Sequence, residues 1–461
     1  MADVNKQRQM MVAVFSLLAT FFWMLWVNQF PWSLSSDDAF NFSQALERYS
    51  VIEFRPHFPG YPGFYWMSVI VRDFVFNDVQ AIIAVSTLSA AAIPLLLGII
   101  GYQLSGSLWV MMAILFSAFS QPLLSGLALS GLTDAPAIMF FLMALVCFFH
   151  PTQRSWPVGF SLGLMLATRP SYLPLALAFL PLLVSYQYRL SALIEAALPI
   201  AVIGGICLLF LVSKDGAGYF AEGVRFTRGH FTIWGNTSAL ERSPWLSWFH
   251  QVVSSFGIVT SVVMVISIGS ALFLNHRAGK QCAWIALSYA GYIVMAQNPE
   301  NLRHFLPVFL LSLVIFYPQL YLLNFTEIKR RILIITITTA VVIVGLTQQV
   351  AVSHREAPIQ QAIASLSSSG SKQQVIGTNY SVNVVRNQLK HFAVYDMYYP
   401  SSESQLLTSA NQGLRVWRLS ATPLNSSNYQ LKNSFMARFP TERNLYLYAV
   451  NDSFANNENK K

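Results

Sequence analysis

The chain is short of charge. Only 11% of its 461 residues are Asp, Glu, Lys or Arg, while 54% are hydrophobic. A soluble domain carries roughly 25% charged residues, so too little charge is present to cover a water-exposed surface of this size. Cysteine is nearly absent as well. Cys147, Cys207 and Cys282 each lie inside an apolar run. No two sit at metal-ligand spacing, which argues against a zinc ribbon and against a disulfide framework. There is no HExxH and no Cys/His cluster, so the sequence signs of zinc peptidases are missing. No internal repeat is visible, and the only biased stretch is the serine-rich segment 365–371, read as a linker.

What is present in quantity is long apolar sequence. A hydrocarbon slab about 30 Å thick needs ~20 apolar residues per helix. Apolar runs recur at about 10–30, 79–101, 107–125, 134–149, 157–169, 172–188, 195–213, 251–274, 281–296, 305–323 and 332–349. This pattern predicts a polytopic α-helical membrane protein with about eleven spans. Pro170 and Pro174 interrupt the pattern near 157–188, where one bent span is the alternative. The first run is too long for a signal-peptide core and ends without a small-residue cleavage site, so it reads as an uncleaved span.

The net charge of +9 does not point to nucleic acid, because the cations gather in short loops between apolar runs. With the N-terminus in the cytoplasm, Arg154, Arg189, Arg277, Lys280, Lys329, Arg330 and Arg331 all fall on the inner side, as the positive-inside rule requires. Four segments then fall outside: 31–78, the turn 129–134, the loop 214–250 and the tail 350–461. The tail alternates polar and apolar residues at 374–376, 392–395 and 444–450. That period predicts a small mixed α/β domain of about 100 residues on the non-cytoplasmic side. Its last ten residues are polar and are expected to stay unpacked. The division expected is a transmembrane catalytic domain over 1–350, with a surface-helix loop at 31–78, and a periplasmic domain over 351–461.

The first outer loop is the richest in chemistry. Ser35 or Ser36 can cap a helix that opens on Asp37 and Asp38 and carries Phe42, Ala45, Leu46 and Tyr49 on one face. Acids are favourable at helix N-termini for plain dipole reasons. Two adjacent carboxylates also repel, which raises one pKa toward a value that suits proton abstraction. Successive helical residues point about 100° apart, so only one of the two would face a given substrate. The loop continues through Arg55-Pro56-His57-Phe58-Pro59-Gly60-Tyr61-Pro62-Gly63, a tight irregular path, and then Phe64, Tyr65 and Trp66 suit an interfacial belt.

An Asp pair after the first span, a surface helix and a Pro-Gly-Tyr-Pro stretch resemble the membrane glycosyltransferases of the GT-C superfamily. That superfamily includes the protein O-mannosyltransferases and the lipid A aminoarabinose transferase. Further motifs agree in order and side. Thr133-Asp134-Ala135-Pro136 looks like its second outer-loop acid, Thr168-Arg169-Pro170-Ser171 like its Arg-Pro turn, and Arg303-His304-Phe305-Leu306-Pro307 like its late basic motif. The resemblance covers about 10–350 and leaves the tail unmatched.

It implies inverting transfer of a sugar from a polyprenyl-phosphate donor to a hydroxyl of a cell-envelope glycan, lipid or protein. The first-loop Asp serves as base in such enzymes. Asp37 holds the matching position, and Asp38 stands where many relatives have Glu; the residues leave open which one acts. A lipid phosphate at headgroup depth needs cations there, preferably forked guanidinium groups. The candidates are Arg303, His304, Arg169, Arg48, Arg55, His57, Arg225 and Arg228, with Asp134 among them. Snorkelling to headgroups or solvation in a loop is the plainer role for each cation. No motif demands a cofactor, and a divalent cation beside the acids stays open. The resemblance further implies a bacterial inner membrane. The other functions weighed are a lipid-linked polysaccharide ligase or polymerase, and a transporter or flippase. A transporter would hold its acids near mid-span and show paired halves; a transferase would hold them at the outer rim.

Overall fold

The computed structural model describes residues 2–151, 154–187, 190–229, 244–273, 276–350, 355–368 and 374–450. The stretch 230–243, with His230 and Trp234, lies outside these, as do parts of the serine-rich linker and the polar C-terminal end.

The apolar runs are helices. They are α1 (Ala2–Val27), α4 (Asp78–Ser105), α5 (Leu108–Phe119), α6 (Pro122–Ala128), α7 (Asp134–Phe148), α8 (Ser155–Thr168), α9 (Leu173–Gln187), α10 (Ser191–Asp215), α12 (Pro244–Phe273), α13 (Arg277–Ala296), α14 (Leu306–Leu322) and α15 (Glu327–Val350). Between them lie α2 (Asp37–Glu47), α3 (Pro62–Arg72) and α11 (Gly218–Gly229). Among the described residues, six helices are long and apolar enough to cross a membrane: α1, α4, α10, α12, α14 together with the 3-10 turn Leu302–Phe305 before it, and α15. A seventh arises if α5 and α6, bent by 65°, count as one broken span. The stretch around Pro170 is two helices joined by a short 3-10 turn at Pro170–Tyr172.

Burial sorts the helices into centre and rim. The apolar windows of α4 and α14 are 72% and 78% buried, whereas those of α1 and α10 are each 17% buried. The first pair is the core of the bundle; the second presents Leu, Ile and Phe outward, the arrangement lipid contact favours. Close packing needs small residues where backbones meet. A Cβ on Gly159 of α8 would run into the Ala196 carbonyl of α10, and one on Gly345 of α15 would run into the Ser120 carbonyl.

The C-terminal part is an α/β unit. Its strands are β1 (Gln374–Thr378), β2 (Phe392–Asp396), β3 (Arg415–Ser420), β4 (Tyr429–Phe435) and β5 (Leu445–Val450), in the order β2-β1-β3-β5-β4. β1 runs parallel to β2 and β3, and β5 is antiparallel to β3 and β4. Helices α16 (Pro358–Ser367), α17 (Val382–Gln388) and α18 (Ser401–Asn411) complete it. The expected strands at 374–376, 392–395 and 444–450 are thus found, and β3 and β4 are strands the sequence analysis did not anticipate.

This unit seats on one end of the bundle. Leu34, Ala39, Phe42 and Leu46 share one hydrophobic cluster with Ile359, Val384, Val385 and Leu389. Phe30 packs on Phe439 at 5.0 Å between ring centres, and the Glu300 carboxylate pairs with Arg443 at 2.9 Å. The first loop is therefore held between two bodies, the helices beneath and the sheet unit above.

Candidate active site

The aspartates and arginines of the site stand at helix ends, where local sequence places them. Ser36 caps α2, its Oγ accepting from the Ala39 N–H at 3.3 Å. That cap starts the helix on Asp37 and Asp38, and the buried face Ala39, Phe42, Ala45 and Leu46 fixes its rotation. Gly131, at φ +63°, turns the chain so that α7 opens on Asp134. Arg169 ends α8 just before Pro170, and Arg303 sits in the short 3-10 turn Leu302–Phe305 ahead of Pro307.

These ends converge. Arg169 Nη1 donates to Asp134 Oδ2 at 3.0 Å and to Thr133 Oγ1 at 2.8 Å. Its Nη2 lies 3.4 Å from His304 Nδ1, and its guanidinium lies over the Tyr172 ring at 5.3 Å. Arg303 bridges the two acids: Nη2 donates to Asp38 Oδ2 at 3.3 Å, and Nε lies 3.8 Å from Asp134 Oδ2. His57 Nδ1 is 3.8 Å from Asp38 Oδ1, while its Nε2 shares a hydrogen bond with the Tyr61 hydroxyl at 2.8 Å. Residues more than 260 apart in sequence thus form one charged cluster.

Its depth matters. The Asp134 side chain is wholly buried and that of Arg169 is 9% exposed, so neither charge could persist alone. The Asp38 side chain, by contrast, is 40% exposed, so the cluster opens to solvent on that side. Buried polar atoms are normally satisfied. Here Asp134 Oδ1, Arg169 Nε and Arg303 Nε are buried yet take no hydrogen bond among the described residues. The cluster has binding capacity left over.

The two neighbouring aspartates part company. Asp38 joins the cations: enclosure by the chain pushes its carboxyl up, but His57, Arg303 and Arg169 together outweigh this and hold it below its ordinary value. Asp37 points the other way, to the α/β unit. Its Oδ1 accepts from the backbone N–H of Asn383 at 2.8 Å and of Val384 at 3.2 Å. Burial raises it to about 6, and the Asp38 charge adds to the rise, while the backbone hydrogen bonds oppose it.

The remaining candidates lie outside the cluster. Arg48 pairs with Glu53 at 2.7 Å, its side chain 70% exposed. Arg55 pairs through its backbone with Ser50. Arg225 makes two 2.8 Å hydrogen bonds to Glu222, three residues away on α11. Arg228 is exposed on the same helix. Helix α11 still borders the site, because its Phe226 stacks on His57 at 5.6 Å. Among the described residues no group of three or more His, Cys, Asp or Glu side chains is arranged to hold a metal ion.

Sequence reasoning missed Tyr61, Tyr380 and the amides of Asn383 and Val384. Tyr61 could have been found, since it lies four residues after His57. Backbone amides of the tail leave no sequence signal.

No protein-family model and no curated protein matches the chain. Solved structures do. The chain is similar to ArnT from Cupriavidus metallidurans, a lipid A aminoarabinose transferase, in the apo state (TM-score 0.54, 12% identity, covering 97% of this chain and 99% of that one). It is equally similar to the same protein bound to undecaprenyl phosphate (TM-score 0.56, 12% identity, 96% and 98% covered). The likeness spans bundle and tail alike, so the ArnT fold is shared from end to end, including the tail that no sequence motif had linked to it.

Proposed function

We propose that the chain is a membrane glycosyltransferase that moves a sugar from a polyprenyl-phosphate donor to a hydroxyl of a cell-envelope glycan, lipid or protein, with inversion. The observation that carries this reading is the cluster itself: two guanidinium groups, the buried Arg169 and the largely buried Arg303, facing carboxylates at helix ends with donor capacity unspent. Forked guanidinium groups suit phosphate oxygens. The shared fold with a protein that binds undecaprenyl phosphate supports the lipid class of the donor.

In this reading the donor's prenyl tail lies among the apolar helices and its phosphate meets Arg303 and Arg169, with His304 beside them. Asp37 takes the proton from the acceptor hydroxyl. The freed oxygen attacks the anomeric carbon as the bond from that carbon to the phosphate oxygen breaks. Polyprenyl phosphate leaves with the bonding pair, its charge met by preplaced cations. Asp37 suits the base because a general base works best with a pKa near the working pH. Asp38, held down by its cations, is a poor base and instead fixes Arg303 and His57.

The membrane arrangement follows the same proposal. All eleven apolar runs cross, the shorter ones inside the bundle, with α5 and α6 as one broken span. The N-terminus is cytoplasmic, and the site and the α/β unit from 351 onward face the periplasm of an inner membrane. The helix-end position of the site's aspartates and arginines weighs against a transporter, which needs its charges near mid-span. A ligase or polymerase of lipid-linked glycans shares this chemistry and differs only in acceptor.

The test is polyprenyl phosphate release by purified protein given lipid-linked sugars. Wild type should release it, and Asp37→Asn and Asp38→Asn should each slow release by about 100-fold or more. Equal release by all three removes the proposed base and its partner.

A further inference from the structure

We infer that the C-terminal α/β unit completes the reaction site, with the backbone amides of Asn383 and Val384 and the Tyr380 hydroxyl aiming Asp37. The inference rests on the glycosyl-transfer reading and adds a role for the part of the chain that no motif had explained.

Residues 33–37 are held by the α/β unit. Ser33 Oγ donates to Glu356 Oε2 at 3.2 Å, Gln360 Nε2 donates to the Leu34 carbonyl at 2.9 Å, and the Tyr380 hydroxyl donates to the Ser35 carbonyl at 3.2 Å. Asp37 then takes its two backbone hydrogen bonds from α17. Each of these contacts comes from the α/β unit. Beneath them, Leu34 and Ala39 share a buried cluster with the fully buried Val384 and Val385. The bundle holds the neighbouring Asp38, through Arg303 and His57. One helical turn thus has two masters, and the residue proposed as base answers to the tail.

Fixing one carboxylate oxygen leaves the other free to take a proton in a defined direction, and small errors of placement are costly in such steps. Asn383 and Val384 lie in the first turn of α17, where N–H groups have no partner within the helix. Their use by Asp37 costs that helix nothing. The titratable groups around Asp37 are Asp38 on its own helix and Tyr380 and Tyr398 on the α/β unit, with Arg303, Arg443, Glu442 and Glu300 around those tyrosines.

The test uses the full chain and two substitutions. Asn383→Pro removes one donating N–H in the first turn of α17, where the N–H has no partner within the helix. Tyr380→Phe removes the grip on Ser35 and leaves the ring. Lipid-linked sugar turnover is followed against pH, and amide exchange over 381–385 is measured on wild type and on Asp37→Ala. Asn383→Pro should lower kcat by about tenfold or more, change the donor KM by less than about twofold and move the acid limb of kcat upward, because a lost N–H donor favours the protonated carboxyl. Tyr380→Phe should move both in the same direction by less. A merely structural role would lower the amount of active protein without moving the limb. Faster exchange over 381–385 in Asp37→Ala establishes the contact whether or not the protein turns over. Unchanged exchange, or a wild-type limb and kcat in both substituted proteins, overturns the inference. Failure of wild type itself to release polyprenyl phosphate overturns the glycosyl-transfer reading instead.

Discussion

Two sets of arginines border the same end of the bundle, and their partners set them apart. Arg48 and Arg225 are paired with acids a few residues away, Glu53 and Glu222, and their side chains are 70% and 66% exposed. Arg169 and Arg303 are paired with acids from distant helices and are 9% and 17% exposed. In sequence all four are cations in outer segments. A local acid neutralises a surface arginine cheaply and leaves it little to do. Burying a guanidinium against a distant carboxylate carries a large desolvation cost, which a fold tolerates at a place of use.

The comparison can be broken by substitution. The largest effect should come from Arg303→Ala, which removes the bridge between Asp38 and Asp134. Transfer should fall by about 100-fold or more if the guanidinium meets the leaving phosphate. Turnover within a few-fold of wild type would place the phosphate elsewhere.

Next comes stability. Asp134→Ala leaves Arg169 buried without its carboxylate, which should cost about 3–5 kcal/mol, read as a fall in thermal midpoint in detergent or nanodiscs. The double change Asp134→Ala with Arg169→Leu should recover much of that stability without recovering transfer. A double variant as unstable as the single one would show that the pair is not the cause.

A pH profile sharpens the contrast between the aspartates. With Asp37 raised to about 6 by burial, kcat should fall as pH drops through about 6, where the base becomes protonated, and level off above it. Asp38 stays ionised throughout that range, since its cations hold it below its ordinary value. A limb far below 6 would take the proton acceptor away from Asp37.

The smallest effects belong to the outer arginines. Arg48→Ala and Arg225→Ala should change stability by less than about 1 kcal/mol and transfer by less than about twofold. A tenfold loss in either would bring the surface loop into donor binding.

Much of this was legible in sequence, and the reasons are physical. Apolar period and length gave the helices, because lipid tolerates few other patterns. Ser36, the Asp pair and the Phe42 face gave α2. Thr133-Asp134, Arg169-Pro170 and Arg303-His304 are legible through their resemblance, in order and side, to motifs of the GT-C superfamily. The unread part depends on contacts between distant residues. The sequence does not tell Arg225 from Arg303, because only folding decides which acid each one meets. Nor does it part Asp37 from Asp38, because that division depends on a helix 345 residues further on whose contribution is backbone. The number of crossings was harder to fix for the same reason: α7, α8 and α9 are short, and their burial comes from neighbours.

The proposed reaction depends on the capture of a lipid phosphate by Arg303 and Arg169 at the end of the bundle. The most direct measurement of that capture is equilibrium binding of undecaprenyl phosphate to the purified protein in nanodiscs, comparing wild type with Arg303→Ala. The account predicts saturable binding by wild type, weakened about tenfold or more by a lost charge-assisted contact of roughly 1.5–3 kcal/mol. Equal affinity in the two proteins would contradict it.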